Sequence, residues 1–383
     1  MGTLRGGAAR LEQVGGRSTS GTWAHFDLQL AFYALALGVV GLLMAYTNSQ
    51  GTPLAPGSVF TRGLMWFAIA MVLFTLAAAA DFRWLRTFAW PLYGLNLALL
   101  ILTIAIGSGV GEVSRWISIG GLQFQFSELA KILMAIVLAA YLSGRAGRLG
   151  SLTTIIGAAV LALPPFALVL IQPDLGTSLV FGAIVMGTLF LSGASLRWLL
   201  VAGAGIVAMV PMAWTFVLED YQKRRLISFM DPAADPLDSG YQLTQSQIAV
   251  GSGGIFGKGL TNGSQTQLDY LPVQATDFVG ATLAEELGFV GCVVVLILFV
   301  ALLWRVLLVG WRSRDGFGVS FAGAIASMIA FQLLVNFGMV LGIMPITGIP
   351  LPFITHGGAS LISLAIGLGI LQSIAMRQGR AEW

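Results

Sequence analysis

Long apolar runs limit this chain's fold more than any other feature. They cover about 28–47, 62–80, 88–107, 127–143, 152–171, 175–193, 196–217, 279–309, 318–343 and 353–376. A helix that crosses a bilayer needs about 20 mostly apolar residues, because the hydrocarbon core is about 30 Å thick. Lipid offers the backbone no hydrogen bonds, so runs of this kind must satisfy their own and become helices. The composition agrees: 57% of the 383 residues are hydrophobic and 10% are charged, against about 25% charged in soluble domains. The expected fold class is an all-α polytopic membrane protein with about ten transmembrane helices. One large loop, about 218–278, separates the seventh span from the eighth. Pro164 and Pro165 remove backbone donors within the fifth span and are expected to kink it.

Basic residues choose the orientation. With the N-terminus in the cytoplasm, the inner segments hold Arg5, Arg10, Arg17, Arg83, Arg86, Arg145, Arg148, Arg197, Arg305, Arg312, Arg314, Arg377 and Arg380. The short outer loops hold only Arg62 and Arg115. That bias predicts both termini inside and the large loop outside. It also accounts for the net charge of +3 without any nucleic acid. Residues 1–26 read as a flexible cytoplasmic tail, 27–377 as the membrane domain and 378–383 as a short cytoplasmic tail. The first apolar run is too long for a signal peptide and no A-x-A site follows it. Cys292 is the only cysteine, so no intrachain disulfide can form, and His25 and His356 alone make a histidine metal site improbable. The loop carries aromatic and apolar residues and is expected to contain short amphipathic helices, for example around 241–250.

Polar residues collect at the outer ends of several spans. In "GGLQFQFSELAK", Glu128 and Lys131 are i, i+3 on one face of the fourth span, and Ser127 can cap it. They read either as a self-satisfying ion pair or as a site, since ionisable groups within spans are costly. In "IQPDLGTS", Asp174 either caps the sixth span or lines a cavity. "GSGGIFGKGL" fails the phosphate-loop spacing, because Ser252 and Gly259 stand at its Gly and Ser/Thr positions. Its glycines could still free amides for an anion, with Lys258 adding charge, or merely connect two elements. In "LDYLPVQATDFVGATLAEELGFVG", Thr276 sits at a plausible cap. Asp277 either caps the eighth span or, sharing a helical face with Glu285 about 12 Å further in, lines an outward-open cavity; Glu286 points elsewhere. "MPITGIPLPFITHGGAS" is rich in Pro and Gly and predicts irregular backbone, tolerated at depth only where it is buried or lines a cavity. Asn336 and His356 are expected near that cavity, although His356 also fits a purely structural role.

With these motifs assembled, the chain resembles the SEDS family (shape, elongation, division and sporulation), the RodA/FtsW glycosyltransferases, from Asp27 to about Gln372. "RWISIGGLQFQFSELAK", "QPDLGT", "RRLISFMDPAADPLDSGYQLTQSQIAVGSGGIFGKGL", "LPVQATDFVGATLAEELGFVG" and "GIMPITGIPLPFITHGGAS" carry the likeness. "QPDLGT" and "PITGIPLPF" look more like RodA than FtsW. Departures from the family pattern are Phe126 for Pro, Val273 for Glu, Ala275 for His, and His356 and Ala359 for Tyr and Ser.

The resemblance implies a peptidoglycan glycosyltransferase that polymerises lipid II at the outer face of the bacterial cytoplasmic membrane during elongation, releasing undecaprenyl pyrophosphate. Asp277 matches the family's essential aspartate and would serve as the general base. Lys131, Lys258 and Arg115 would steady the pyrophosphate, with Glu128 orienting Lys131; Asp174, Glu285 and Asn336 would line the cavity. The implied partners are lipid II, membrane lipids and a class B penicillin-binding protein acting as transpeptidase. No tightly bound cofactor is expected; a divalent cation, Mg or Mn, would be an optional aid. The alternatives are a lipid II flippase, a division or sporulation paralogue, and a noncatalytic scaffold.

Overall fold

The computed structural model describes residues 23–49, 51–107, 115–119, 122–236, 238–272 and 274–378. Most of both expected tails, and Val273, lie outside the described residues. The elements in chain order begin with α1 (Leu28–Thr47), α2 (Val59–Ala79), the short α3 (Phe82–Thr87) and α4 (Ala89–Ile106). After β1 (Ile117–Ile119) and β2 (Leu122–Phe124) come α5 (Phe126–Ser143), α6 (Leu152–Ile171), α7 (Leu175–Leu191) and α8 (Leu196–Phe216). Next are α9 (Asp220–Met230), α10 (Ser239–Gly253) and the single turn α11 (Ser264–Gln267). The chain closes with α12 (Val279–Arg312), α13 (Gly316–Val340) and α14 (Gly358–Arg377).

Among the described residues nine helices are long and apolar enough to span a membrane. The sixth expected span, α7, is apolar but has 17 residues. Beyond the helices, β1 and β2 form one antiparallel hairpin, with Ile117 opposite Phe124, which the apolar pattern did not announce. Pro164 and Pro165 lie inside α6, and the helix runs on through them to Ile171.

Hydropathy alone does not say which spans sit at the centre. α5, α13 and α14 do: 78%, 72% and 83% of their most apolar windows are buried, against 6% for α8. Lipid tails are as apolar as leucine, so helices associate there through close packing, which small residues permit. α13 begins GFGVSFAGAIAS and α14 begins GASLISLAIGLG. A Cβ on Gly367 of α14 would sit 3.0 Å from Ile325 of α13 and 3.1 Å from Ile132 of α5. The three central helices therefore meet where one of them lacks a side chain.

The segment 218–278 is folded, as its aromatic punctuation suggested. α9 starts with a reciprocal capping box between Glu219 and Gln222. α10 packs on α12 through a small apolar cluster that includes Leu243, Ala249, Phe278 and Ala281. The stretch 341–357 is irregular yet largely buried: Ile346, Ile349, Leu351, Phe353 and Ile354 are all in the interior.

α12 is broken. Gly288 adopts φ +66°, ψ −167°, a backbone state closed to residues with a side chain. A Cβ there would lie 2.2 Å from the Gly257 nitrogen. The glycine-rich strap repairs the interrupted ladder. Lys258 and Gly259 donate their amides to the carbonyls of Glu285 and Glu286, each at 3.0 Å. Phe289 and Val290 donate to the carbonyls of Gly254 and Ile255, at 2.9 and 3.0 Å. The anion cradle considered for "GSGGIFGKGL" is thus corrected: the amides of Lys258 and Gly259 are taken by the first half of α12, and the carbonyls of Gly254 and Ile255 accept from the second.

Candidate active site

The loop-side end of the bundle gathers charge around one aspartate. Asp277 lies just before α12 and outside the spans. Its backbone is pinned from the irregular stretch and from α13. The Asn336 side-chain amide donates to the Asp277 carbonyl at 3.0 Å and to the Ile349 carbonyl at 2.9 Å. The Thr355 hydroxyl donates to the Thr276 carbonyl at 3.1 Å, and the His356 amide to the Ala275 carbonyl at 3.1 Å. Thr276 does not cap α12, whose N-cap position falls on Phe278 with no side-chain bond.

Gly348, with φ +71°, brings bare backbone against the carboxylate. A Cβ added there would stand 3.4 Å from Asp277 Oδ2 and 3.9 Å from an Arg225 terminal nitrogen. Burial pushes the Asp277 carboxyl above the ordinary carboxylate range. Arg225 is the strongest influence in the opposite direction, Thr276 and Arg115 also lower it, and Asp174 adds to the rise. Part of its surface nevertheless stays accessible. A raised carboxylate within reach of a substrate is suited to accepting a proton.

Two arginines face this carboxylate from different elements. Arg115, ahead of the hairpin, donates from Nε to the Gln172 carbonyl at 3.0 Å and from a terminal nitrogen to the Pro173 carbonyl. It also reaches the Tyr221 hydroxyl at 3.1 Å and stands 4.0 Å from Asp174. Asp174 takes the capping reading of its motif. One oxygen caps α7 by accepting from the Thr177 amide at 3.1 Å; the other accepts from the Gln125 amide at 2.9 Å. Arg225, on α9, lies over the Tyr221 ring at 5.7 Å, and its guanidinium makes no hydrogen bond among the described residues. Sequence reasoning named Asp277, Arg115, Asp174 and Asn336 and missed Arg225 and Tyr221. Both lie in the YQKRRLISF stretch of the loop, where orientation rules are silent and only the docking of α9 reveals the neighbour.

The remaining expected residues are placed elsewhere. Lys131 donates to Glu128 at 2.8 Å; both are buried, and no described contact joins them to the Asp277 group. Ser127 does not cap α5, because the N-cap position falls on Gln125. Lys258 pairs with Glu285 at 2.7 Å instead of facing Asp277. Glu285 is fully buried and saturated. It accepts from the Gln265 and Thr266 amides at 3.0 and 3.2 Å and from the Thr266 hydroxyl at 3.1 Å. Its partners lie in the loop, and Glu286 lies near Thr47, Thr261 and Gly263. Both acids therefore sit at the level of the loop and the end of α1. The expected place of Glu285 on a cavity wall is corrected: it is fully buried and clamps the strap to α12. Glu285→Ala is expected to lower stability by about 3–5 kcal/mol, since it strands buried donors and Lys258, whereas Lys258→Met costs less; thermal melts in detergent measure both.

His356 is held neutral, its pKa lowered to about 4 by burial and then by Arg62. It lies among Gly63, Trp66 and the α14 start, which fits its structural reading. Among the described residues no three His, Cys, Asp or Glu side chains form a metal cluster.

Comparison with known proteins decides the family. Residues 27–380 match the Cell cycle protein family of FtsW, RodA and SpoVE. The chain belongs to this family. The FtsW/RodA/SpoVE relatives include peptidoglycan glycosyltransferase MrdB of Escherichia coli (strain K12), 38% identical over 350 residues, 91% of this chain and 93% of the relative. Stage V sporulation protein E of Bacillus subtilis (strain 168) is 35% identical over 360 residues, covering 91% and 96%. Among solved structures, a chain from the work "Structural coordination of polymerization and crosslinking by a peptidoglycan synthase complex" superposes with a TM-score of 0.77 at 33% identity. That match covers 92% of this chain and 98% of the other. RodA of Thermus thermophilus gives 0.70 at 30% identity, covering 93% and 98%. This FtsW/RodA/SpoVE member is accordingly a glycosyltransferase and a multi-pass bacterial membrane protein of RodA-like fold.

Proposed function

We propose that the chain polymerises lipid II into peptidoglycan glycan strands during cell elongation, with Asp277 as the general base. One observation carries this reading: a desolvated yet accessible carboxylate stands beside a guanidinium with no hydrogen-bonded partner among the described residues. In the proposed step the acceptor sugar hydroxyl attacks the anomeric carbon of the donor. The new glycosidic C–O bond forms as the bond to the pyrophosphate oxygen breaks. The hydroxyl proton passes to Asp277, and undecaprenyl pyrophosphate leaves with the bonding electrons. Negative charge grows on that leaving oxygen, and Arg225 and Arg115 are the cations placed to meet it. A Mg or Mn ion, when bound, would supply further positive charge for the leaving pyrophosphate.

The basic residues of the helix connections support an outward-facing site. Arg83, Arg86, Arg145, Arg148, Arg197, Arg305, Arg312 and Arg314 all fall at the end of the bundle away from Asp277, as a cytoplasmic face requires. Both termini would then lie inside. The likeness to the rod shape determining protein RodA and the "QPDLGT" and "PITGIPLPF" motifs favour the elongation role. The likeness to a chain of a peptidoglycan synthase complex supports a class B penicillin-binding protein as partner.

Purified protein given labelled lipid II in detergent is expected to make glycan chains, and more of them with the cognate penicillin-binding protein present. Detergent removes sidedness, so chain growth there cannot arise from flipping. Absence of glycan in both conditions, with lipid II intact, would return the flippase reading to first place.

A further inference from the structure

The end of the bundle opposite Asp277 carries a second built feature that the proposed reaction does not use. α1 and α12 pack together, and their outer faces leave an apolar groove of about 550 Å³. Gln29, Tyr33, Ile297, Val300, Trp304 and Arg305 are among its walls. From Val293 to Trp304 the groove follows about 17 Å of helix at 1.5 Å per residue. That is roughly half of a 30 Å hydrocarbon core, the reach of one leaflet. Arg305 also borders a second cavity of about 240 Å³, whose wall includes His25, Asp27, Arg312 and Gln378.

Charge in that cavity is unbalanced. Arg305 donates from Nε alone to both oxygens of Asp27, at 2.9 and 2.7 Å. The terminal nitrogens of Arg305 and the whole Arg312 guanidinium have no partner among the described residues. Two arginines thus face one carboxylate, beside a groove that ends in Trp304 and Tyr33, residue types that settle at the membrane–water boundary.

We propose that the groove and the cavity together bind one anionic phospholipid of the surrounding bilayer. Its acyl chain lies along Val300 and Ile297, and its phosphate sits between Arg305 and Arg312. Length and charge select this occupant. A transmembrane helix would need a groove through both leaflets, and a second copy of this chain would bring its own unbalanced arginines against these.

The test uses the full chain in phosphatidylcholine vesicles holding a small share of brominated phosphatidylglycerol or brominated phosphatidylcholine. Emission of Trp304 is isolated as the difference between parent and Trp304→Phe. The anionic brominated lipid is expected to quench it at several-fold lower mole fraction than the neutral one. Arg312→Gln should reduce that preference roughly fivefold, the effect of removing one basic residue near an anionic headgroup. Ile297→Phe should fill the groove and weaken quenching by both lipids. Equal quenching by the two lipids, or a preference that survives Arg312→Gln in protein with parental melting, overturns the proposal. So does a native mass spectrum in which Ile297→Phe converts a dimer to monomer without removing a phospholipid adduct.

Discussion

Asp277→Asn is expected to stop glycan synthesis, lowering the rate by roughly 10²–10⁴-fold, while the protein inserts and folds as before. Asparagine keeps the size and the backbone bonds to Asn336 and cannot take a proton from a hydroxyl. The same substitution should not destabilise. Burial raises the folded pKa of Asp277 over its unfolded value. Stability from its protonated form is therefore complete below about pH 4 and falls as the pH rises through the higher folded value. At pH 7.5 Asp277→Asn should melt at the parental temperature or above it, and the gap should narrow as the pH approaches 4. In the parent, the polymerisation rate should rise with pH along a limb centred above the ordinary carboxylate value. A normal rate in Asp277→Asn, or a marked loss of melting temperature at neutral pH, would remove Asp277 from its proposed role.

Breaking the Glu128–Lys131 pair should have the second large effect, on stability. Both side chains are buried, with 2.8 Å between Lys131 Nζ and Glu128 Oε1. Lys131→Met leaves a carboxylate unpaired in the interior, and Glu128→Leu leaves an ammonium. Either change is expected to cost about 3–5 kcal/mol, because an uncompensated buried charge is worse than none. The double variant Glu128→Leu/Lys131→Met should recover most of that loss. Thermal melts of the four proteins form the cycle, and additive losses would show that the pair is not coupled. Glycan synthesis by the recovered double variant then separates the two readings of this motif. A protein that melts normally and makes no glycan needs one of these charges for substrate.

Much of the site was legible in order and not in space. "QPDLGT" offered Asp174 as either a cap or a cavity residue, and the fold caps α7 with one of its oxygens while the other accepts from the Gln125 side chain. Asp277 stood out because it shares a helical face with a second acid, Glu285, although capping the apolar run was a competing reading. Lys258 looked like a pyrophosphate ligand and Glu285 like a cavity residue, yet they pair with each other across 27 positions of the chain. Residue type cannot tell a charge that faces a substrate from one that faces its own counter-charge.

The sequence by itself determined the class of fold and most spans, because lipid obliges long apolar runs to satisfy their backbones as helices. It also located the carboxylate and one of its arginines. Only the tertiary structure decided which helices are central, since hydropathy measures transfer into an apolar medium and neighbouring helices and lipid are equally apolar. Close packing made that choice, with Gly367 of α14 letting Ile325 of α13 and Ile132 of α5 approach its bare backbone. The break at Gly288 and the arrival of Arg225 beside Asp277 were likewise decided there: each depends on a loop folding back onto residues distant in the chain, where shape and charge meet without any local periodicity to announce them.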